Sequence, residues 1–274
     1  MNETYDILIL GGGPAGISAA LTARARGRSV LVISNPAATS ALHKAHAIDN
    51  YPGLVGMSGA ELLARMTEGF AQLAIPTVTG RVTGVMPLGE SFMVSVGTDV
   101  YAARSLILAS GAAQPRAYPG EAELLGRGVS YCATCDGMFY RGKRVAVIGL
   151  SADAREEADF LSGIGCEVEF FDRTRAKTYE IRGTEKVASL VADGVEYPVD
   201  GVFVLRDTVA SSVLLPGLAL DGGHIAVDRS MAASMPGVFA CGDCTGRPYQ
   251  IAKAVGEGNV AALSADGYLG KTKS

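Results

Sequence analysis

Short apolar runs separated by glycine-rich turns recur along the chain. The first run, Tyr5 to Leu10, has the length of a β-strand, and a segment of small residues with helical character follows it after the turn GGGPAG. A second apolar run, SVLVIS, completes a strand, helix and strand unit. The same order returns in VAVIGLSADAREEADFLSGIGCEVEFF, which begins at Val145. This alternation predicts an α/β protein with two such units.

The first glycine-rich turn has the spacing of a dinucleotide-binding loop. Gly11 permits the tight turn, Gly13 lets the backbone approach a pyrophosphate, and Gly16 lets the helix pack against the strand. The phosphate is expected at the start of the helix, where unpaired N–H groups and the helix dipole favour an anion. Ser34 and Asn35 replace the acidic residue expected at the end of the second strand, so the ribose must be held in another way.

A second pattern is the Cys-Ala-Thr-Cys pair of Cys132 and Cys135, just ahead of the second unit. In a chain with five cysteines and no export signal, this spacing indicates a redox dithiol. Zinc is the alternative, because Cys241 and Cys244 form another pair, but the framing of structural zinc knuckles is missing and we expect no metal. We expect Cys241 and Cys166 to be packed as small hydrophobic side chains.

Composition and charge narrow the function classes. A formal net charge of −4 without a dense Lys/Arg cluster argues against nucleic acid or an anionic membrane as partner. Although 48% of the residues are hydrophobic, no apolar run approaches the ~18 residues that a membrane helix needs. The opening MNETYDILIL lacks the basic segment, apolar segment and cleavage site of a secretory signal, which predicts a cytoplasmic protein.

Three stretches resemble the low-molecular-weight thioredoxin reductase family: GRGVSYCATCDG, IDNYPG, and CGDC followed by QIAKAVGEGNVAA. The resemblance runs over nearly the whole chain. It implies an α/β fold with two Rossmann-like three-layer domains of the FAD/NAD(P)-binding type, the second reduced in size. The FAD-binding domain is expected to be discontinuous, with residues 1–115 and 240–274, and the redox-cysteine domain to span residues 116–239. The resemblance also implies a homodimer.

The resemblance assigns roles to individual residues. Cys135 would be the thiol nearer the flavin, Cys132 the thiol that attacks the partner disulfide, and Asp136 the acid that gives a proton to the departing thiolate. Reduced FAD would pass two electrons to the dithiol, which would reduce thioredoxin or a thioredoxin-like protein through a mixed disulfide. The residues expected to bind FAD are Gly11, Gly13, Pro14, Ala15, Gly16, Ser34, Asn35, Asn50, Ser110, Gly111, Gly242, Asp243, Tyr249, Gln250 and Ile251.

The second glycine-rich turn departs from the pattern of the NADPH-dependent members. Ser151 replaces the middle glycine and Ala154 the last, and a side chain at Ser151 crowds the approach of a pyrophosphate. Asp172 ends the second strand, and only Arg173 and Arg175 follow in place of a basic cluster. The next stretch resembles a much later part of the family's second domain, so we expect a strand and a helix to be missing.

The loss of these features together predicts that the second domain no longer binds NADPH and serves as a cysteine carrier and partner platform. The chain resembles a shortened subgroup that includes ferredoxin-dependent flavin thioredoxin reductases, which makes ferredoxin the expected donor. Two alternatives remain open: an NAD(P)H-dependent thioredoxin reductase in which Asp172 holds a ribose, and a flavin-linked thiol oxidase or redox sensor of unknown donor. The basic residues considered for an acidic ferredoxin are Arg24, Arg26, Arg28, Arg141, Lys143 and Arg144.

Overall fold

The computed structural model describes residues 4–37, 40, 42–111, 117–151, 153–206 and 214–271. The chain forms two compact units: Met1–Gln114 together with Ser211–Ser274, and Pro115–Ala210. Both points at which the chain passes between the units lie outside the described residues. The second boundary of these compact units differs from the predicted residue 240, because the described residues 214–239 cluster with the first unit.

The first unit opens with the predicted order of elements. They are β1 (Thr4–Leu10), α1 (Pro14–Ala25), β2 (Val30–Ser34), α2 (Gly59–Gln72), β3 (Thr77–Thr79), β4 (Val82–Leu88), β5 (Ser91–Val96) and β6 (Asp99–Leu108). Helix α2 begins with a capping box between Ser58 and Glu61, which satisfies two of the N–H groups at its start.

The second unit carries the cysteine pair. Its elements are β7 (Val129–Ser130), α3 (Ala133–Asp136), β8 (Arg144–Gly149), α4 (Ala154–Gly163), β9 (Glu167–Phe171), β10 (Tyr179–Gly183), β11 (Val187–Ala192), β12 (Val195–Pro198) and β13 (Gly201–Leu205). A parallel sheet has the order β7-β13-β8-β9, and β10, β11 and β12 form an antiparallel sheet. Residues 172–178, which join β9 to β10, contain neither helix nor strand.

The chain then returns to the first unit through β14 (Leu220–Asp221), β15 (His224–Ile225), β16 (Val238–Ala240) and α5 (Ile251–Lys271). Strand β16 pairs in parallel with the end of β6. This pairing places β16 inside the first unit's sheet, so the chain has re-entered that unit before Val238.

The first unit's sheet has the order β3-β2-β1-β6-β5-β4, with β16 also on β6. In the register, Leu10 lies beside Ile33 and Leu108, and Leu108 lies beside Ala240. Four parallel strands therefore end at one edge, which is where α/β sheets bind ligands. The turns after β1, β2, β6 and β16 meet at this edge, and they contain most of the predicted cofactor residues. The α/β prediction is confirmed.

Candidate functional site

The glycines after β1 divide into those at which a Cβ would clash with the fold and one, Gly13, at which it would not. A Cβ at Gly11, where φ is +127°, would lie 2.1 Å from the Ala109 carbonyl oxygen, and one at Gly16 would lie 1.9 Å from that of Gly11. A Cβ at Gly13 would meet nothing within 4 Å. Gly13 is the N-cap of α1 and Pro14 follows it, so this open space lies at the start of the helix. These features fit the approach of a pyrophosphate.

The other predicted residues of this edge lie on neighbouring turns. Ser34 ends β2, and its side chain lies 2.9 Å from the position of a Cβ on Gly12. Asn35 follows it, and Ser110 and Gly111 follow β6 after Ala109. Gly12 must remain small because the Ser34 side chain occupies this space. Ser34 therefore takes part in shaping the glycine turn.

The turn Gly242–Thr245 after β16 is held by two charged residues of α5. The Gly242 N–H donates to Glu257 Oε2 (2.8 Å), and Lys253 Nζ donates to the carbonyl oxygens of Gly242 (3.0 Å) and Gly246 (2.8 Å). Lys253 and Glu257 also form an ion pair of 3.2 Å. Sequence reasoning missed both residues, although their i, i+4 spacing in α5 could have indicated the pair.

Asp243 lies in this turn. Burial raises the pKa of its carboxyl group, and Glu257 adds to the rise while Lys253 opposes it. A half-buried carboxylate of this kind is stabilised when a bound molecule donates hydrogen bonds to it. The geometry suits a ligand with hydroxyl groups.

The start of α5 brings together residues from distant parts of the chain. Asn50 Nδ2 donates to Gln250 Oε1 (2.8 Å), which ties the loop before α2 to this helix. The Tyr249 hydroxyl lies 2.8 Å from His224 Nε2, and the Arg247 guanidinium lies over its ring. Ile251 is the first residue of α5. Of these contacts, the sequence had suggested only that Asn50, Tyr249, Gln250 and Ile251 share a site.

In the second unit, Cys132 and Cys135 form a disulfide, with their Cα atoms 5.3 Å apart. Cys132 is the N-cap of α3, and its sulfur accepts a hydrogen bond from the Cys135 N–H (3.1 Å) and lies 3.3 Å from the Thr134 hydroxyl. Cys132 is 5% exposed, whereas Cys135 is exposed. The two donors can stabilise a thiolate on Cys132.

Asp136 is fixed through the residue that precedes the pair by two positions. The Ser130 hydroxyl donates to Asp136 Oδ2 (2.7 Å) and accepts from the Cys132 N–H (3.1 Å). One buried hydroxyl thus connects the predicted acid to the backbone of the predicted attacking cysteine. Sequence reasoning did not single out Ser130.

A buried ion pair supports the strand before the dithiol. Glu121 is fully buried and accepts two hydrogen bonds from Arg206, of 2.5 and 2.9 Å, and one from the Tyr131 hydroxyl (3.0 Å). Burial, followed by the negative charge of Glu121, raises the pKa of the Tyr131 phenol, which therefore stays a donor. Tyr131 is adjacent to Cys132. No sequence pattern indicated this network, because Arg206 is far from Glu121 and Tyr131 along the chain.

Two backbone N–H groups of the second glycine-rich turn are hydrogen-bonded within the protein. The N–H groups of Leu150 and Ser151 both donate to the Leu205 carbonyl oxygen, at 2.8 and 3.0 Å. Arg173 donates to the Leu150 carbonyl oxygen (2.6 Å). The Phe170 ring packs against the turn, since a Cβ on Gly149 would lie 2.5 Å from it. These backbone N–H groups are therefore engaged inside the chain.

The residues after β9 are engaged as well. The Asp172 carboxylate accepts from the Thr174 N–H (2.9 Å), the Thr174 hydroxyl (2.6 Å) and the Arg175 N–H (3.0 Å). Hydrogen bonds from Thr174 are the main cause that lowers the pKa of this carboxyl group. Arg175 pairs with Glu169 and lies over the Phe171 ring. The side chains of Asp172 and Arg175 are thus both engaged by other groups of the chain.

Most of the basic residues considered for an acidic partner have contacts within the chain. Arg26 and Arg28 both pair with Asp266, and Arg144 pairs with Glu167. Arg24 donates to the Leu73 carbonyl oxygen, and Lys143 lies over the Tyr140 ring. Pairing with an acid lowers the positive field that Arg26, Arg28 and Arg144 present, so these three are weaker candidates than the sequence suggested.

The remaining cysteines behave as packed groups. Cys241 and Cys244 are fully buried, and burial raises the pKa of both thiols, that of Cys244 to about 11. The Cys244 thiol donates to the Cys241 carbonyl oxygen (3.2 Å). Cys166 is also buried, and burial raises the pKa of its thiol. A high pKa keeps a thiol protonated and unreactive at neutral pH.

Within the described ranges there is no group of three or more His, Cys, Asp or Glu residues that could hold a metal ion. A helix long and apolar enough to cross a membrane is likewise absent from the described part of the chain.

Comparison with known proteins gives consistent results along the whole chain. The family model of the pyridine nucleotide-disulphide oxidoreductases matches residues 5–176 and 173–258. A thioredoxin reductase of Listeria monocytogenes is 33% identical over 99% of this chain and 96% of its own length. That alignment spans 305 positions, more than the 274 residues of this chain, so the relative has residues that this chain lacks.

Two solved structures are similar to the fold of this protein. A ferredoxin-flavin thioredoxin reductase from Clostridium acetobutylicum is 39% identical, with a TM-score of 0.86, and the match covers 99% of both chains. A thioredoxin reductase from Gloeobacter violaceus is 32% identical, with a TM-score of 0.77, over 99% of this chain and 96% of that one.

Proposed function

Because the chain belongs to the pyridine nucleotide-disulphide oxidoreductase family, as a homologue of thioredoxin reductases, we propose that it uses FAD and the Cys132–Cys135 dithiol to reduce thioredoxin or a similar small protein, with ferredoxin as electron donor. Thioredoxin reductases and the wider family are FAD-binding flavoproteins. The observation that carries the choice of donor is the second glycine-rich turn, whose N–H groups at Leu150 and Ser151 donate to Leu205.

FAD fits the edge of the first unit's sheet. Gly13 and the start of α1 would hold its pyrophosphate, because the space beside Gly13 is open and the helix start favours an anion. The half-buried carboxylate of Asp243 would accept hydrogen bonds from hydroxyl groups of the cofactor. FAD, when bound, would supply the electron-transfer chemistry between the donor and the disulfide.

The dithiol then carries out two exchanges. The Cys132 thiolate attacks one sulfur of the partner disulfide, which forms a mixed disulfide and releases one partner thiolate. The Cys135 thiolate attacks the Cys132 sulfur, which restores the Cys132–Cys135 disulfide and releases the second partner thiolate. Asp136, held by Ser130, is the proton donor for a leaving thiolate. Because Cys132 is 5% exposed, these roles require that its sulfur become accessible during turnover.

An apolar surface next to the pair supports a protein substrate. Met138 and Phe139 directly follow the helix that carries the cysteines, and they are 58% and 73% exposed. Large apolar side chains at such exposure are characteristic of contact surfaces for proteins. They lie three and four residues beyond Cys135, so a protein bound to them would contact the segment that carries the cysteine pair.

The groups that a nicotinamide dinucleotide would need in the second unit are already hydrogen-bonded within the chain. A bound dinucleotide would compete with the Leu205 carbonyl oxygen for the N–H groups of Leu150 and Ser151. A ribose would compete with three donors for Asp172. Arg173 and Arg175 are bonded to Leu150 and Glu169. A nucleotide would have to break these contacts before it gained its own, which disfavours the NAD(P)H-dependent alternative.

The test is anaerobic reduction of the purified, FAD-loaded protein, followed by flavin absorbance. Pre-reduced ferredoxin, NADPH and NADH are added to separate samples, with dithionite as the control for complete reduction. Rapid bleaching by ferredoxin alone, and recovery of colour when oxidised thioredoxin is added, is the expected result. Rapid bleaching by NADPH or NADH would overturn the donor assignment, and failure of thioredoxin to restore the colour would overturn the substrate assignment.

A further inference from the structure

A glutamate of the second unit contacts the start of the helix that carries the cysteine pair. The Ala133 N–H, at the first residue of α3, donates to Glu157 Oε2 at 3.0 Å. Ala133 is fully buried and directly follows Cys132. Glu157 therefore brings a carboxylate to the peptide N–H that follows Cys132. Glu157 and Ala133 are separated by 24 positions in the chain.

The packing of α4 against the cysteine segment fixes this contact. A Cβ on Gly137 would lie 2.8 Å from Leu161 Cδ2 and 3.0 Å from Ile164 Cδ1, so the two segments approach closely. Leu161 is fully buried and is one turn beyond Glu157 on the same helix. The register that seats Leu161 beneath Gly137 also places Glu157 beneath Ala133.

The sulfur of Cys132 has opposing influences around it. The Cys135 N–H (3.1 Å) and the Thr134 hydroxyl (3.3 Å) can both donate to it, which favours the thiolate. The carboxylate of Glu157 occupies an N–H at the start of the same helix and carries a negative charge, which disfavours the thiolate. The balance between these contacts determines how readily Cys132 ionises.

We propose that Glu157 is a positioning residue of the dithiol, which holds the start of α3 and limits the stabilisation of the Cys132 thiolate. This assignment rests on the proposed function only in that the Cys132–Cys135 pair is the redox group. It also assigns a function to α4, the helix that follows the altered glycine-rich turn, because the first turn of α4 contacts the cysteine segment through Glu157. A less stabilised thiolate makes the dithiol a stronger reductant.

The first measurement is the pKa of the Cys132 thiol in full-length, FAD-loaded protein. Cys135→Ser frees Cys132 from the disulfide, and the rate of its alkylation by iodoacetamide is followed against pH, with the labelled peptide identified by mass. Glu157→Gln keeps an acceptor oxygen for the Ala133 N–H but removes the charge. We expect alkylation below the thiol pKa to become about three- to tenfold faster, for one charge at short range in a partly screened site.

Glu156→Gln is the matched control, because Glu156 is the exposed neighbour on the same helix and carries the same charge. It should change the alkylation rate by less than about twofold, as expected for an exposed charge. Equal rates in the Glu157→Gln and Glu156→Gln proteins would overturn the proposal and leave Glu157 with a purely structural part.

The second measurement is the equilibrium of the intact pair with a glutathione buffer. Glu157→Gln should shift the equilibrium constant toward the reduced pair by about three- to tenfold, where tenfold corresponds to about 30 mV for a two-electron couple. No shift would contradict the proposal even if the variant were less stable. Neither measurement uses ferredoxin or thioredoxin, so their outcome is independent of the tests of donor and substrate.

Discussion

Removal of Arg206 should reveal how strongly the second unit depends on its buried ion pair. Glu121 is fully buried and Arg206 is 8% exposed, and their two hydrogen bonds are 2.5 and 2.9 Å long. Arg206→Met leaves the Glu121 carboxylate with the Tyr131 hydroxyl and the Tyr118 N–H but without a counter-charge. Breaking one side of a buried pair in this way should lower the free energy of unfolding by about 3–5 kcal/mol.

A second substitution tests whether the unpaired charge is the cause. Glu121→Gln combined with Arg206→Met removes the charge and keeps an acceptor for Tyr131, so the double variant should recover about 2 kcal/mol or more of the loss. Arg144→Met is the matched control, because its pair with Glu167 is exposed to solvent and should contribute far less to stability than the buried pair.

The assay should follow the second unit by itself, since a chain with two compact units need not unfold in one step. Native-state hydrogen exchange of amides in β8 and β13 reports the opening energy of this unit. The reasoning would be refuted if Arg206→Met were no more destabilising than Arg144→Met, or if the double variant were no more stable than the single one.

Three further predictions concern the cofactor edge and the exposed apolar surface. Gly13→Val should weaken FAD binding by at least about tenfold while the apoprotein stays folded, because the added side chain enters open space; isothermal titration with FAD checks this, and unchanged affinity would contradict it. Burial raises the pKa of Asp243, so ionisation of this carboxyl group destabilises the folded apoprotein once the pH exceeds the ordinary aspartate pKa of about 3.9. Asp243→Asn should therefore raise the Tm of the apoprotein more at pH 7 than at pH 4, and it should reduce the affinity for FAD. Met138→Ser with Phe139→Ser should raise the KM for thioredoxin severalfold and leave flavin reduction by the donor unchanged; an unchanged KM would show that the partner docks elsewhere.

Features that depend on neighbours in the chain could be predicted from the sequence. The spacing of Gly11, Gly13 and Gly16 is local, and the φ angle of Gly11 and the close approach of Gly16 to Gly11 follow from one turn between a strand and a helix. The spacing of Cys132 and Cys135 is local as well, since the first turn of α3 brings the two sulfurs into a disulfide. The expectation of a shortened second domain also came from a local stretch, and only residues 172–178, with neither helix nor strand, separate β9 from β10.

Features that depend on distant residues could not be predicted in this way. The contacts that group the described residues 214–239 with the first unit, among them the pairing of β16 with β6, join segments far apart in the chain, and the boundary expected at residue 240 took no account of them. Arg26 and Arg28 looked like available cations until α5 placed Asp266 beside them. A charge run in the sequence says nothing about which acid the fold brings within reach.

The family, the two glycine-rich turns and the redox pair could be recognised in the amino-acid sequence alone, because each is set by the residue types and spacing of a short segment. The groups that support them became visible only in the fold: Glu121 with Arg206 next to Tyr131, and Glu157 at the Ala133 N–H beside the dithiol. The fold also showed that the second glycine-rich turn bonds to Leu205. These contacts join residues that are far apart along the chain, and the energy of each depends on burial and distance that packing alone establishes.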